Sequence, residues 1–288
     1  MKGHAVTIYD ARPKAGGLNE YGIAAYKAPG DFAQREVDYI LGIGGIDIFD
    51  GQMLGRDFSL EDLRQKHDAV FLGMGLGGVN ALGAPGDHIN GVLDAVEFIA
   101  HLRSADSKAD VPVGRRVVVI GGGMTAVDAS VQSRLLGARE VNMVYRRGTE
   151  AMGASEDEQT WAKTNGVTIE HWLAPVAFEG ENGAVRAVRF EQQQEVEGRL
   201  KGTGVFETRA ADTVLLAVGQ KLATAPWLQS LRLDAGRIAV DAQGRTSLAG
   251  VWAGGDCVGG GRDLTVEAVE DGKQAALAIH STLSSSNA

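Results

Sequence analysis

The stretch Arg116-Val-Val-Val-Ile-Gly-Gly-Gly-Met-Thr-Ala-Val-Asp128 limits the possible folds of this chain more than any other. The apolar run Val117 to Ile120 predicts a buried parallel strand, and Gly121, Gly123 and Ala126 then fall into the spacing G-x-G-x-x-[GA]. An apolar-periodic helix follows to Leu136, where Gly137 stops it, and Glu140 to Tyr145 predicts a second strand. Strand, tight turn, helix and strand is the context in which this spacing binds a dinucleotide. Gly121 permits the turn, Gly123 lets the backbone approach a pyrophosphate, and Ala126 lets the helix pack close to the strand. The helix N-terminus offers free N–H groups and a partial positive charge to the phosphates. A glycine-rich turn that binds nothing would share the glycines but would not need the flanking elements. Where an NAD site usually carries an acid, the second strand ends in Arg146 and Arg147, the charge expected for the 2′-phosphate of NADP.

With 288 residues the chain has room for two domains, and its 40 glycines cluster after apolar runs, as phosphate-binding turns require. A formal net charge of −9 without a basic stripe argues against a nucleic-acid partner. The single cysteine, Cys257, allows no internal disulfide and no C-x-x-C for redox, zinc or iron–sulfur chemistry. No apolar run reaches about 18 residues and no signal peptide is visible, so no membrane partner is expected and the cytoplasm is the expected compartment. The terminal Ser284-Ser-Ser-Asn-Ala288 has no apolar content and reads as an unstructured tail.

Elsewhere, Ala5 to Asp10 is a strand ending in an acid, as the second strand of a dinucleotide fold does, with Asp10 placed for a ribose hydroxyl. Asp31 to Leu41 is amphipathic, with Phe32, Val37, Ile40 and Leu41 on one side, and Ser59-Leu-Glu-Asp62 has capping-box form. Asp68 to Leu72 reads as a buried strand. The following Gly73-Met-Gly-Leu-Gly-Gly78 also spells G-x-G-x-x-G, but Asn80, Gly83, Pro85 and Gly86 leave no helix after it, so it is rejected as a dinucleotide turn. Residues 79–92 read as a crossover, 93–102 as a helix and 109–114 as a linker. A helix is expected over 155–164, then strands at 167–172, 185–192, 208–210 and 213–220. Val251-Trp-Ala-Gly-Gly-Asp256 runs from a strand into Gly255 and Asp256, a possible acceptor for ligand hydroxyls or an ordinary loop acid. The helix after Thr265 has apolar residues at 266, 269, 276 and 279, predicting one buried face.

Taken together, Asp10…Gly16-Gly17-Leu-Asn-Glu-Tyr-Gly22, GGGMTAVD with YRR, VLLAVGQ and VWAGGDCV…TVEAVEDGKQAA resemble the two-domain FAD/NAD(P)H oxidoreductases of the glutamate synthase small-subunit group. Within that group the chain is similar to the flavin-bearing subunit of bacterial dihydropyrimidine dehydrogenase, and the resemblance spans residues 4–283. It implies an α/β fold of two Rossmann-like domains, of the pyridine nucleotide-disulfide oxidoreductase type. The FAD domain would be discontinuous, at 1–82 and 222–288, and the NAD(P)H domain would occupy 83–221. Asp10, Gly17, Leu18 and Lys27 would lie along FAD, Leu54 near its adenine end, and Asp256 with Thr265 on the ribityl chain and flavin ring. Gly122, Gly123, Met124 and Thr125 would face the NADPH pyrophosphate, and Ala217, Val218 and Gly219 would line the passage between the cofactors. This sequence departs from the group in three ways. It lacks the N-terminal iron–sulfur domain, it lacks the first FAD strand with its glycine turn, and it carries Met124 where a small or acidic residue is common. The FAD domain is therefore expected to be incomplete, and the chain to be a fragment.

The resemblance further implies hydride transfer from NADPH, with NADH possible, to FAD, and electron passage to an iron–sulfur or catalytic partner subunit in a homo- or hetero-oligomer. That step needs no side-chain acid or base, so no catalytic residue is assigned. The six histidines lack metal-type spacing, so no metal site is assigned, and Cys257 is expected to be a small residue packed beside the flavin. The alternative is a non-catalytic NADP-binding or interaction module that has lost stable FAD binding.

Overall fold

In strand Arg116–Ile120, Val117 to Ile120 alternate between two cores, which is why that run is apolar without interruption. In the computed structural model, which describes residues 2–261 and 263–286, Val117 and Val119 face a core with Ile99, Val127, Val131, Met143 and Leu215. Val118 and Ile120 face the opposite core, with Val144, Val188, Phe190 and Val214. The strand sits in the middle of a five-stranded parallel sheet. Its order is Val92–Asp94, Thr213–Leu216, Arg116–Ile120, Glu140–Tyr145, Thr168–His171. Helix Met124–Leu135 ends before Gly137, whose φ of 102° suits glycine, and residues Ala126 to Ser133 of that helix are all buried.

The chain divides into two compact units. One comprises residues 16–34 and 81–219 and contains this sheet; the other comprises 1–15, 35–80 and 220–288. The expected boundaries at 82/83 and 221/222 differ from this division chiefly at 16–34, which packs with the parallel sheet and its helices. Arg103 explains the difference. From helix Ala95–Ser104 its guanidinium donates to the carbonyls of Asn19, Glu20 and Ala28 at 3.1, 2.7 and 2.9 Å.

The same unit carries an antiparallel sheet of Leu173–Glu181, Ala184–Val196 and Arg199–Ala210, longer than the isolated segments predicted from sequence. Strand Leu173–Glu181, where the sequence predicts no strand, contains Pro175. The proline is tolerated on an edge strand, beside a register shift between Arg189 and Phe190. Val92–Asp94, expected within the crossover and the start of a helix, is an edge strand instead, and the helix begins at Ala95.

In the other unit, strand Val6–Asp10 pairs in parallel with Ile46–Asp50, and Val70–Leu72 with Val251–Ala253. Among the described residues no ladder joins these two pairs. Their core is built from Leu60, Leu63, Val70, Leu72, Ile238 and Val251. The capping box at Ser59 is present: its hydroxyl accepts from the Asp62 N–H at 3.1 Å and Asp62 accepts from the Ser59 N–H at 2.8 Å. No helix follows Gly73–Gly78; Gly78–Val79 pairs with Gln220–Lys221.

Two expectations for the C-terminal helix are corrected. Helix Thr265–Ser286 buries Ala275 and Ala278 against Trp252 with Ile279 packed beside them; of the other expected positions Ala276 is exposed, and Val266 and Val269 are 72% and 67% exposed. The serines at 284–286, expected in an unstructured tail, continue the helix, and 287–288 lie outside the described residues. Helix Phe32–Leu41 forms as expected, but Phe32 and Ile40 of its apolar side are exposed.

Candidate functional site

The loop after Arg116–Ile120 shows what each glycine is for. Gly121 has a φ of 153°, and a Cβ there would collide with the Ala217 carbonyl. A Cβ on Gly122 would strike the ring of Tyr145, whose hydroxyl donates to the Ala151 carbonyl at 2.7 Å. Gly123 differs: nothing lies within 4 Å of the position of its Cβ. That open space is at the N-cap of helix Met124–Leu135, where no side chain caps the helix. The first-turn amides of Met124 and Thr125 have no intrahelical acceptor and present their partial positive charge to this space. Met124 is 42% exposed, and Ala126 is fully buried against the strand as its place in the motif requires.

Arg146 and Arg147 follow strand Glu140–Tyr145 and are both exposed. Their guanidinium groups have no hydrogen-bond or ion-pair partner among the described residues. On the other side of the glycine loop, Ala217 donates its N–H to the Ile120 carbonyl at 2.8 Å, and Val218 and Gly219 leave the sheet from there. The structure thus places Gly121 to Ala126, Arg146, Arg147 and Ala217 to Gly219 along one sheet edge, the C-terminal one, in a single unit. The residues fit a phosphorylated dinucleotide: open backbone and a helix N-terminus for the pyrophosphate, two uncommitted guanidiniums for a further phosphate.

Gly17, Leu18 and Lys27 belong to the same unit. Gly17 has a φ of 52° with open space around it, and Leu18 is 44% exposed. The Lys27 ammonium is engaged by Asp128 at 2.6 Å and Glu158 at 2.9 Å. Burial pulls this amine down, but the hydrogen bonds and charges of Asp128 and Glu158 outweigh it and hold it above the usual lysine range. Sequence reasoning quoted Asp128 inside the glycine motif without giving it a role. Its presence on an otherwise buried helix was the available signal.

The other unit holds Asp10, Leu54, Gly255, Asp256 and Thr265. Asp10 ends its strand and accepts the Arg12 N–H at 2.8 Å. Leu54 is half-buried against the core of that unit. Gly255, with a φ of 72°, donates its N–H to Asp271 at 2.9 Å. Beside it, Asp256 is half-buried. Burial pushes its carboxyl above the ordinary range, Asp263 and Asp271 add to the effect, and Arg237 opposes it. Arg237 donates to the Asp256 carbonyl at 3.0 Å and pairs with Asp263 at 2.6 Å. Thr265 begins the long helix. These acceptors fit the hydroxyls of a flavin dinucleotide. Among the described residues, this unit contains no strand–glycine turn–helix for the flavin's pyrophosphate.

Cys257 is fully buried and its thiol donates to the carbonyls of Leu72 and Gly254. The described residues contain no group of three or more His, Cys, Asp or Glu placed to hold a metal ion. None of their helices is long and apolar enough to cross a membrane.

The family model for pyridine nucleotide-disulphide oxidoreductases matches residues 1–272. The chain belongs to that family. The family is one of FAD- and NADPH-binding oxidoreductases. It is 34% identical to the glutamate synthase [NADPH] small chain of Escherichia coli, over 95% of this chain and 62% of that protein. It is 32% identical to the NADP(+)-dependent formate dehydrogenase subunit beta of Moorella thermoacetica, over 96% of this chain and 40% of that one. The chain therefore spans about half the length of the curated relatives it matches. In fold it is similar to Mycobacterium tuberculosis FprA in complex with NADPH, with a TM-score of 0.81 at 19% identity, over 98% of this chain and 78% of that one.

Proposed function

We propose that the chain is the NADPH-oxidising, flavin-bearing part of a larger assembly that delivers electrons to an iron–sulfur partner, as in enzymes of the glutamate synthase or dihydropyrimidine dehydrogenase type. The observation that carries the reading is the open N-terminus at Gly123 on the same sheet edge as the uncommitted Arg146 and Arg147. The amides at Gly123 to Thr125 hold the pyrophosphate, and the two arginines hold the 2′-phosphate and favour NADPH over NADH. Asp10 accepts a ribose hydroxyl of FAD, and Asp256 and Thr265 bind its ribityl chain and ring. FAD, when bound, supplies the acceptor for the nicotinamide hydride. The chain's own residues bind, orient and exclude water, and none has to donate a proton.

The test is titration of NADPH and NADH onto the protein. A guanidinium–phosphate contact predicts NADPH tighter by roughly ten- to hundredfold, with the preference lost in Arg146→Ala or Arg147→Ala. Equal affinities in the unaltered protein overturn the assignment.

A further inference from the structure

One carboxylate on the C-terminal edge of the parallel sheet is left unused by the proposed NADPH site. Strand register fixes its place: Asp94 lies opposite Leu216, Leu216 opposite Ile120, and Ile120 opposite Val144. The strand ends therefore present, in order across the sheet, Asp94, then Ala217 to Gly219, then the glycine loop, then Arg146 and Arg147. Neighbouring strands lie about 4.8 Å apart, so Asp94 stands roughly 14 Å from the strand of the arginine pair. A dinucleotide with its 2′-phosphate on the arginines and its pyrophosphate at Gly123 spans the sheet in this direction. Its nicotinamide end passes Ala217 and continues toward Asp94.

The chemistry of Asp94 suits that end. The residue occupies the N-cap position of helix Ala95–Ser104, with extended backbone at φ −71° and ψ 132°, yet its side chain makes no capping hydrogen bond. Its carboxylate has no hydrogen-bond or ion-pair partner among the described residues. It is half-buried, and burial, reinforced by Glu97, pushes its carboxyl above the ordinary range. A partly desolvated acceptor without a donor is unfavourable until a ligand supplies one. At the nicotinamide end of the dinucleotide, beyond the ribose hydroxyls, the donor is the carboxamide N–H. We propose that Asp94 is a specificity-determining residue that accepts this N–H and so selects a carboxamide over substituents that cannot donate. The inference rests on the NADPH site described under Proposed function.

The experiment measures dissociation constants of NADP+, its 3-acetylpyridine analogue and 2′,5′-ADP for the full chain and for Asp94→Ala and Asp94→Asn. The acetylpyridine ketone accepts but cannot donate, and 2′,5′-ADP lacks the nicotinamide altogether. The unaltered protein is expected to favour NADP+ over the analogue by roughly tenfold, the size of one hydrogen bond to a charged group. Asp94→Ala should bring that ratio to within about twofold of unity, Asp94→Asn should fall between, and 2′,5′-ADP should bind all three proteins alike. The idea is overturned if the unaltered protein does not discriminate, if Asp94→Ala keeps the full ratio, or if 2′,5′-ADP binding falls in parallel. The first of these and the Asn variant decide the matter even if Asp94→Ala does not fold. Failure of the unaltered protein to bind either NADP+ or 2′,5′-ADP is a different result, which removes the nucleotide site itself and this inference with it.

Discussion

The Lys27 ammonium lies 2.6 Å from the buried carboxylate of Asp128, tying the loop before Ala28 to the middle of the helix that begins at the glycine turn. Asp128 also accepts from the Ala24 N–H and the Tyr26 hydroxyl, each at 3.1 Å, and four residues on Gln132 accepts from the Ala25 N–H at 3.1 Å. Asp128→Ala leaves the Ala24 N–H and the Tyr26 hydroxyl without their acceptor and the Lys27 ammonium with Glu158 alone. It should cost about 2 kcal/mol or more, because buried donors left unsatisfied keep their desolvation penalty. Asp128→Asn keeps an acceptor and should cost less. Urea unfolding of both variants checks this; equal losses would mean the acceptor geometry is unimportant.

The glycine loop separates fold from function residue by residue. Gly121→Ala should destabilise strongly, since its φ of 153° is strained for alanine and its methyl would meet the Ala217 carbonyl. Gly123→Ala has ordinary backbone at φ −101° and open space around it. Its stability should stay within about 0.5 kcal/mol of the unaltered protein, while NADPH affinity falls by roughly tenfold or more because the methyl stands where the pyrophosphate approaches. Thermal unfolding and NADPH titration of the same samples separate the two effects.

Asp256 sets a pH dependence. Its carboxyl is raised in the folded protein, by burial first and then by Asp263, so the folded state holds the proton in a range where the unfolded chain, near 3.9, has released it. That contribution to stability falls as pH rises through the window from the unfolded value to the folded one, and stays lost above it. Asp256→Asn should therefore be more stable than the unaltered protein at pH 7, with the difference shrinking by pH 3.5. Denaturant melts at the two pH values test the sign. A variant less stable at pH 7 would show that the carboxylate is engaged favourably.

Cys257 should resist thiol reagents in the native protein. It is fully buried, and burial holds its thiol above the ordinary range, so little thiolate forms and no reagent reaches it. Labelling should appear only in denaturant. Rapid labelling under native conditions would show that its surroundings open readily.

The nucleotide half was legible because its signals are local. An uninterrupted apolar strand, glycines at fixed spacing and a stop at Gly137 each follow from backbone sterics and side-chain period, and the observed strand Glu140–Tyr145 has the expected bounds. The misses are tertiary. The spacing of helix Thr265–Ser286 places 266, 269, 276 and 279 on one face, but of these only Ile279 packs at Trp252, beside Ala275 and Ala278. Val92–Asp94 reads as the end of a crossover and the start of a helix, yet it is a strand because it pairs with Val214–Leu216, and a partner that distant in the chain leaves no local signal.

By itself, then, the sequence determined the glycine turn, its flanking strands and helix, and the charge at Arg146 and Arg147, because these depend on neighbours in the chain. Only the tertiary structure decided that residues 16–34 pack with the parallel-sheet unit, that Asp128 and Arg103 hold them there, and that Asp94 shares a sheet edge with residues more than 100 positions away, such as Ala217. Those relations arise from burying one side of a helix and from the register of parallel strands. Neither leaves a fixed spacing in the chain, so no pattern of residues could announce them.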